Sequence, residues 1–351
     1  MTERLVDAHL DMAMNVLAGR DLTIPAHEIR AREGGRSGCM TTLPELERGG
    51  VAIAFGTLYV GTNEFDADGN GVYRTPPGDS ARKQLDVYRS WEDAGRIRIV
   101  RTRSDLADHL AAWETDRKLG IVVLIEGGDS ISSPDELPWW FDAGVRLIGP
   151  AWSQTRYCGG TRRPGGLTPM GRDLIVAMRE LGVILDMSHI AEASFWDAIE
   201  TGPGRVVASH SNARAIVPGN LVITGDRQLT DDMIRAIGDH DGVIGLVLFN
   251  GFLTSEWEAM LISSVLTRTA TSNFVTLEHV RAHAEHTAKL IGWDKVGIGS
   301  DFDGGLGADE TPVEIDTSAD LARIGDVVPH EARAGVLGEN WLRVLSEALP
   351  S

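Results

Sequence analysis

Apolar positions along the chain fall into eight short runs rich in β-branched residues. They are LVDAHLD (5–11), VAIAFGTLYV (51–60), IVVLIEGG (121–128), VRLIGPAW (145–152), VILDMSH (183–189), RVVASHS (205–211), VIGLVL (243–248) and VGIGSDFDG (296–304). Runs of this length that are apolar almost throughout predict strands buried on both faces, as in a parallel sheet. The intervening segments 168–182, 191–201 and 230–240 predict helices, and 277–292 carries apolar residues at i, i+3 and i+4. Two further helices, 80–95 and 103–116, share one gap. Eight strand–helix units predict an α/β fold, a (β/α)8 TIM barrel forming a single domain over 1–351. Three insertions, 61–80, 130–140 and 153–169, leave the C-terminal ends of the second, third and fourth strands, where such barrels assemble their sites. A long loop (305–317) and further helices follow the last strand.

Charge narrows the partners. With 33 basic and 51 acidic residues the net charge is -18, which disfavours nucleic acid and anionic membranes. No run approaches the roughly 18 apolar residues of a membrane span, and the first residues lack a signal-peptide apolar core. A cytoplasmic protein is expected. The two cysteines, Cys39 and Cys158, do not make a disulfide framework.

The strand ends carry the chemistry. His9 and Asp11 sit two apart at the end of the first run, so an imidazole and a carboxylate can reach one metal from one strand face. Glu126 closes an apolar strand, where a carboxylate needs a cation or an Arg. His189 and His210 end two consecutive strands, and Asp301 and Asp303 end the last. Each taken alone has a bland reading: a satisfied core histidine, or a pair of caps for the loop that follows Asp303. Together they converge at one barrel end as a metal site, with one of the two aspartates as a proton shuttle. His279, His283 and His286, at i, i+4 and i+7 of one helix, read as surface residues. DADGNG (66–71) starts like a calcium loop but has Pro77 where the bidentate Glu belongs, so it reads as a turn.

The ordered motifs DAHLD, GGVAIAFGTLYV, IEGG, DMSH, SHSNAR, GVIG, GSDFDG and GENWLRV resemble the membrane (renal) dipeptidase family, peptidase family M19, along nearly the whole chain. The resemblance implies a (β/α)8 barrel of the amidohydrolase kind with two Zn²⁺ ions. His9, Asp11 and Glu126 would hold one and Glu126, His189 and His210 the other. It implies Asp301 as catalytic acid/base and Arg227 as the group that binds the substrate's terminal carboxylate. The expected reaction is cleavage of a dipeptide, with a D-residue accepted on the C-terminal side, by a hydroxide shared between the metals. A homodimer is compatible with this reading. The chain also departs from the family pattern. Gln228 follows Arg227 where Asn is usual, Asp129 follows IEGG where His is frequent, and Asn250 stands where an aromatic residue is common. The family's substrate-binding histidine after the fourth strand is absent from GPAWSQTRY, where Ala151 or Trp152 takes its place. Arg156 and Tyr157 are the expected substitute donors, counted with Arg227 and Asn250 as substrate contacts. Two rival readings follow: an amidohydrolase of N-acyl amino acids, lactams or another small amide, and a non-catalytic metal-binding barrel.

Overall fold

The computed structural model describes residues 3–34, 38–67, 71–219, 225–267 and 273–351. Its strands are β1 (Leu5–Leu10), β2 (Val51–Tyr59), β3 (Ile97–Ile99), β4 (Leu119–Glu126), β5 (Val145–Gly149), β6 (Cys158–Gly160), β7 (Arg163–Leu167), β8 (Ile184–Asp186), β9 (Val206–Val207), β10 (Ile244–Leu246) and β11 (Val296–Ile298). All but β6 and β7 belong to one parallel sheet, in the order β10-β11-β1-β2-β4-β5-β8-β9, with β3 added beside β4. A parallel bridge from Ala208, just past β9, to Ile244 of β10 joins the two ends of that order and closes the ring. Each of the eight predicted strands supplies one stave.

β4 shows how the sequence positions a site. Ile121, Val123 and Ile125 pack with Leu85 and Tyr88 of the helix Pro77–Asp93. Val122 and Leu124 alternate with them and join Ile53, Phe55, Leu147, Ile184 and Val207 in a second cluster. By the period of two, Glu126 continues the Val122–Leu124 face at the mouth of the barrel. Trp341, in the helix Asn340–Ala348, completes that cluster. Its ring meets Phe55 edge-on at 5.1 Å and its Nε1 donates to the Ile298 carbonyl.

Several elements go beyond those that the sequence predicts, among them the helices Ala26–Glu33, Leu43–Arg48, Leu137–Asp142 and Ser255–Thr267. β3 has only three residues, with Arg98 at its centre, and falls between the paired helices. The insertion after β5 folds into the antiparallel β6–β7 hairpin. One reading is corrected: His283 is fully buried, its Nδ1 accepting from the Ala213 amide and its Nε2 facing the Leu253 carbonyl. It pins two loops to its helix. Cys39 and Cys158 are both buried free thiols. Of the DADGNG turn, Asp68, Gly69 and Asn70 lie outside the described residues. No described helix is long and apolar enough to cross a membrane.

Candidate active site

Five donors and one further carboxylate converge at the C-terminal mouth of the barrel. His9 lies within β1 and Asp11 just beyond it, at the start of the helix Met12–Leu17. Glu126 is the last residue of β4. Gly127 then turns at φ 88°, where a Cβ would sit 1.9 Å from the Val60 carbonyl oxygen, so no other residue could release the chain there. His189 and Asp301 come three residues beyond β8 and β11, at φ 63° and 62°. Left-handed backbone at non-glycine residues is strained and tends to gather at functional sites.

The donor atoms form overlapping sets. His9, Asp11 and Glu126 make one, Glu126, His189 and His210 a second, and His9, His210 and Asp301 a third. Glu126 links the first two: its Oε2 is 3.6 Å from His9 Nε2, while its Oε1 is 3.1 Å from His189 Nε2 and 3.4 Å from His210 Nε2. Asp11 Oδ2 is 3.8 Å from His9 Nε2.

Hydroxyls behind the histidines set their tautomers. Ser209 Oγ donates to Asp186 Oδ2 at 2.5 Å, so its lone pairs accept from His210 Nδ1 at 2.8 Å and, more weakly, from His9 Nδ1 at 3.3 Å. Thr161 Oγ1, from the turn between β6 and β7, lies 2.9 Å from His189 Nδ1. With a proton on each Nδ1, every Nε2 presents a lone pair to the centre. His9 Nε2 and Asp11 Oδ1 are buried with no hydrogen-bond partner, and the Nε2 atoms of His189 and His210 face each other. Buried lone pairs and carboxylates without donors fit cations, and mixed imidazole–carboxylate sets suit zinc or a similar divalent ion.

The electrostatics agree. Burial alone would lower His9, but Glu126, Asp11 and Asp301 around it raise it to about 10. Burial, with Arg227 nearby, lowers His189 to about 4, and His210 is held well below the ordinary histidine value. Against the effect of burial, His9 and His189 keep Glu126 well below the carboxylate range. Asp301 moves the other way, raised by burial and by Asp11 and Glu126. Without a dication, the carboxylates recruit a proton onto His9 as their counter-charge.

These groups open into a cavity of about 400 Å³, large enough for a small ligand. Its floor includes Asp11, Glu126, His189 and Asp301, and its walls include Tyr59, Trp152, Phe249 and Phe252. Arg227 reaches it from the 3-10 turn Gly225–Arg227. Its buried guanidinium lies over Phe252 at 4.6 Å, with Nη2 donating to the His210 carbonyl, Nη1 to Ser211 Oγ, and Nε unpartnered.

Three expected substrate contacts are placed elsewhere and do not line this cavity. Arg156 is tied to Asp129 Oδ1 by its backbone amide at 2.8 Å and its Nε at 3.1 Å. Tyr157 is buried, its hydroxyl donating to the Ile131 carbonyl. Asn250 donates to Asn273 Oδ1 and the Thr311 carbonyl. The two aspartates after β11 also separate. Both have left-handed backbone, so the alternation that was to give them one face does not operate. Asp303 turns to the Met40 and Thr41 amides and anchors that loop, while Asp301 stays in the cavity. Composition and spacing gave no sign of Ser209, Thr161 or the aromatic wall.

A profile of the membrane dipeptidases matches residues 2–349. An uncharacterized protein of Klebsiella pneumoniae from the pqqA 5′ region is 33% identical over 286 residues, 77% of this chain and 96% of that one. Among solved structures, a metallopeptidase of family M19, dipeptidase AC, superposes with a TM-score of 0.79 at 25% identity, covering all of both chains. A metallopeptidase of Rhodobacter sphaeroides liganded with a phosphinate mimic of the dipeptide L-Ala-D-Ala gives 0.77 at 26% identity, covering 99% of this chain and 100% of that one. The chain therefore belongs to the membrane dipeptidases, peptidase family M19, and is a metal-dependent hydrolase of that family.

Proposed function

We propose that this barrel is a binuclear zinc dipeptidase, with His9, Asp11 and Glu126 holding one ion and Glu126, His189 and His210 the other. The observation that carries the reading is the division of Glu126, one oxygen toward His9 and the other toward His189 and His210. When bound, the ions would supply a water of lowered pKa and polarise the scissile carbonyl. The chain does the rest. Asp301, in the cavity beside Asp11, takes up a proton on its carboxylate and returns it to the leaving amine. Arg227 has its two Nη atoms engaged with the protein and its Nε unpartnered, which leaves a fixed donor edge for a substrate carboxylate. Gly304 leaves room beside these groups: a Cβ there would lie 2.0 Å from Asp301 Oδ1 and 2.7 Å from Asp11 Oδ2. A dipeptide substrate with a D-residue on its C-terminal side is supported by the ligand of the Rhodobacter sphaeroides neighbour.

The aromatic wall of Tyr59, Trp152, Phe249 and Phe252 favours a second reading, in which the acyl half is an apolar N-acyl group. One panel decides between them. Zinc-loaded protein and a chelated control are assayed on L-L and L-D dipeptides and on N-acyl amino acids. Chelator-sensitive cleavage of dipeptides supports the first reading, and activity confined to N-acyl amino acids replaces it with the second.

A further inference from the structure

We infer that Ser153 is a substrate-contacting residue whose hydroxyl donates to the oxyanion that forms at the scissile carbon. The inference rests on the amide-hydrolase reading above. Ser153 follows β5 and lines the same cavity as Glu126, His189, Arg227 and Asp301. It is 2% exposed, and its Oγ has no hydrogen-bond partner. A buried hydroxyl without a partner is costly unless a ligand supplies one. It shares that condition with Nε of Arg227 and Oδ1 of Asp11, two residues that line the same cavity, and with Nε2 of His9 in the donor cluster.

Topology says which part of a substrate it meets. In the ring β10-β11-β1-β2-β4-β5-β8-β9, β5 lies between the strands that lead to Glu126 and His189, and diametrically across from β11, which leads to Asp301. The group assigned to proton transfer therefore stands on one side of the mouth and Ser153 on the other. An oxyanion at a tetrahedral carbon held between them points away from the proton-transfer side, toward Ser153.

The residue is also held rigidly. The Thr161 amide donates to the Trp152 carbonyl, the Thr155 amide to the Cys158 carbonyl, and Thr155 Oγ1 to the Pro150 carbonyl. Gly160 packs so closely that a Cβ there would lie 2.0 Å from the Ser153 carbonyl oxygen. Thr161 in turn supports His189, so the hairpin fixes a metal-facing imidazole and the Ser153 hydroxyl as one unit. Preorganisation of this kind is what makes a donor effective toward developing charge. Two other donors of the same segment, Arg156 and Tyr157, are engaged elsewhere.

The test compares wild type, Ser153→Ala and Ser153→Thr, each zinc-loaded, with metal content and circular dichroism as controls for folding. Turnover is read on whichever amide of the panel the wild type cleaves, and affinity on a phosphinate dipeptide mimic, whose tetrahedral oxygens copy the oxyanion. Expected for Ser153→Ala are two metals retained, KM nearly unchanged, kcat lower by about 10²- to 10³-fold and a similar loss of phosphinate affinity. Ser153→Thr recovers part of both. Equal phosphinate affinity, or an unchanged kcat, with metals bound in Ser153→Ala overturns the assignment. Absence of dipeptide cleavage by the wild type removes the dipeptide reading instead and leaves the Ser153 comparison standing on the phosphinate.

Discussion

His189 Nε2 and His210 Nε2 face each other at 2.9 Å, while their Nδ1 atoms are turned to Thr161 and Ser209. Two lone pairs at that distance repel unless a proton or a cation sits between them. Burial keeps both rings neutral, and the hydroxyls at the two Nδ1 atoms can hold each ring's single proton there, an arrangement that a metal between the Nε2 atoms would stabilise. Metal loading should therefore raise Tm. At a free zinc concentration a thousandfold above Kd the gain is about 4 kcal/mol, on the order of 5–10 °C for a chain of this size. Calorimetry of chelated and zinc-loaded protein measures it, and coincident transitions would exclude a metal at this pair.

Ser209 serves both proposed metal shells, since its Oγ faces the Nδ1 of His210 and of His9 and is itself held by Asp186. Ser209→Ala should weaken both ions by about 10- to 100-fold. Competition with a chromophoric chelator resolves the two binding events. Loss at one ion alone would show that the 3.3 Å contact to His9 contributes nothing.

Metal uptake should depend steeply on pH. His9 is raised to about 10 in the metal-free site, so an ion must displace its proton. Affinity should then rise by about one log unit per pH unit from about 7 to 10, more steeply below about 7, where burial leaves Asp11 protonated as well, and level off above 10. The stability of the metal-free protein runs the opposite way. A histidine with a raised folded pKa contributes stability that is fully present below about 6.5 and is lost as pH climbs toward 10. Titration calorimetry in two buffers of different ionisation enthalpy should report proton release on zinc binding at pH 7.

Asp301→Asn keeps the size of the side chain but cannot carry the proton. Turnover should fall by about 10²- to 10⁴-fold with both metals retained. Full activity in that variant would move the proton-transfer role to another group. Asp303→Asn is the control, because Asp303 anchors the Met40–Thr41 loop instead of lining the cavity, and its cost should appear in Tm.

Arg227→Met removes the donor edge proposed for the substrate carboxylate. KM for dipeptides should rise by about 10²-fold, while a substrate with a C-terminal carboxamide loses far less. An equal loss on both substrates would mean that Arg227 acts only by holding the His210 carbonyl and Ser211.

Much of this was legible along the chain. Parallel barrel strands are apolar throughout, so a polar residue at the end of one is conspicuous, and His9, Glu126, His189 and His210 stood out for that reason. β3 did not, because three residues with a central Arg carry no pattern. The β6–β7 hairpin was hidden as well, since RPGGL carries a single large apolar residue, Leu167, and no apolar–polar alternation. The burial of His283 is invisible to helical spacing, which does not reveal which segments settle on a given face.

The sequence by itself determined the barrel, its eight staves and the set of donors at one end of it. The reason is physical: the period of two and the length of each apolar run are local properties, and parallel closure then brings every strand end to the same mouth. Only the tertiary structure decided how those donors are oriented. It gave Asp301 to the cavity and Asp303 to a distant loop through two left-handed residues. It turned Arg156, Tyr157 and Asn250 toward other partners and left Ser153 Oγ and Arg227 Nε, of two residues that line the cavity, without partners. Those outcomes depend on which groups meet across the barrel, and contacts between residues a hundred positions apart leave no trace in local spacing.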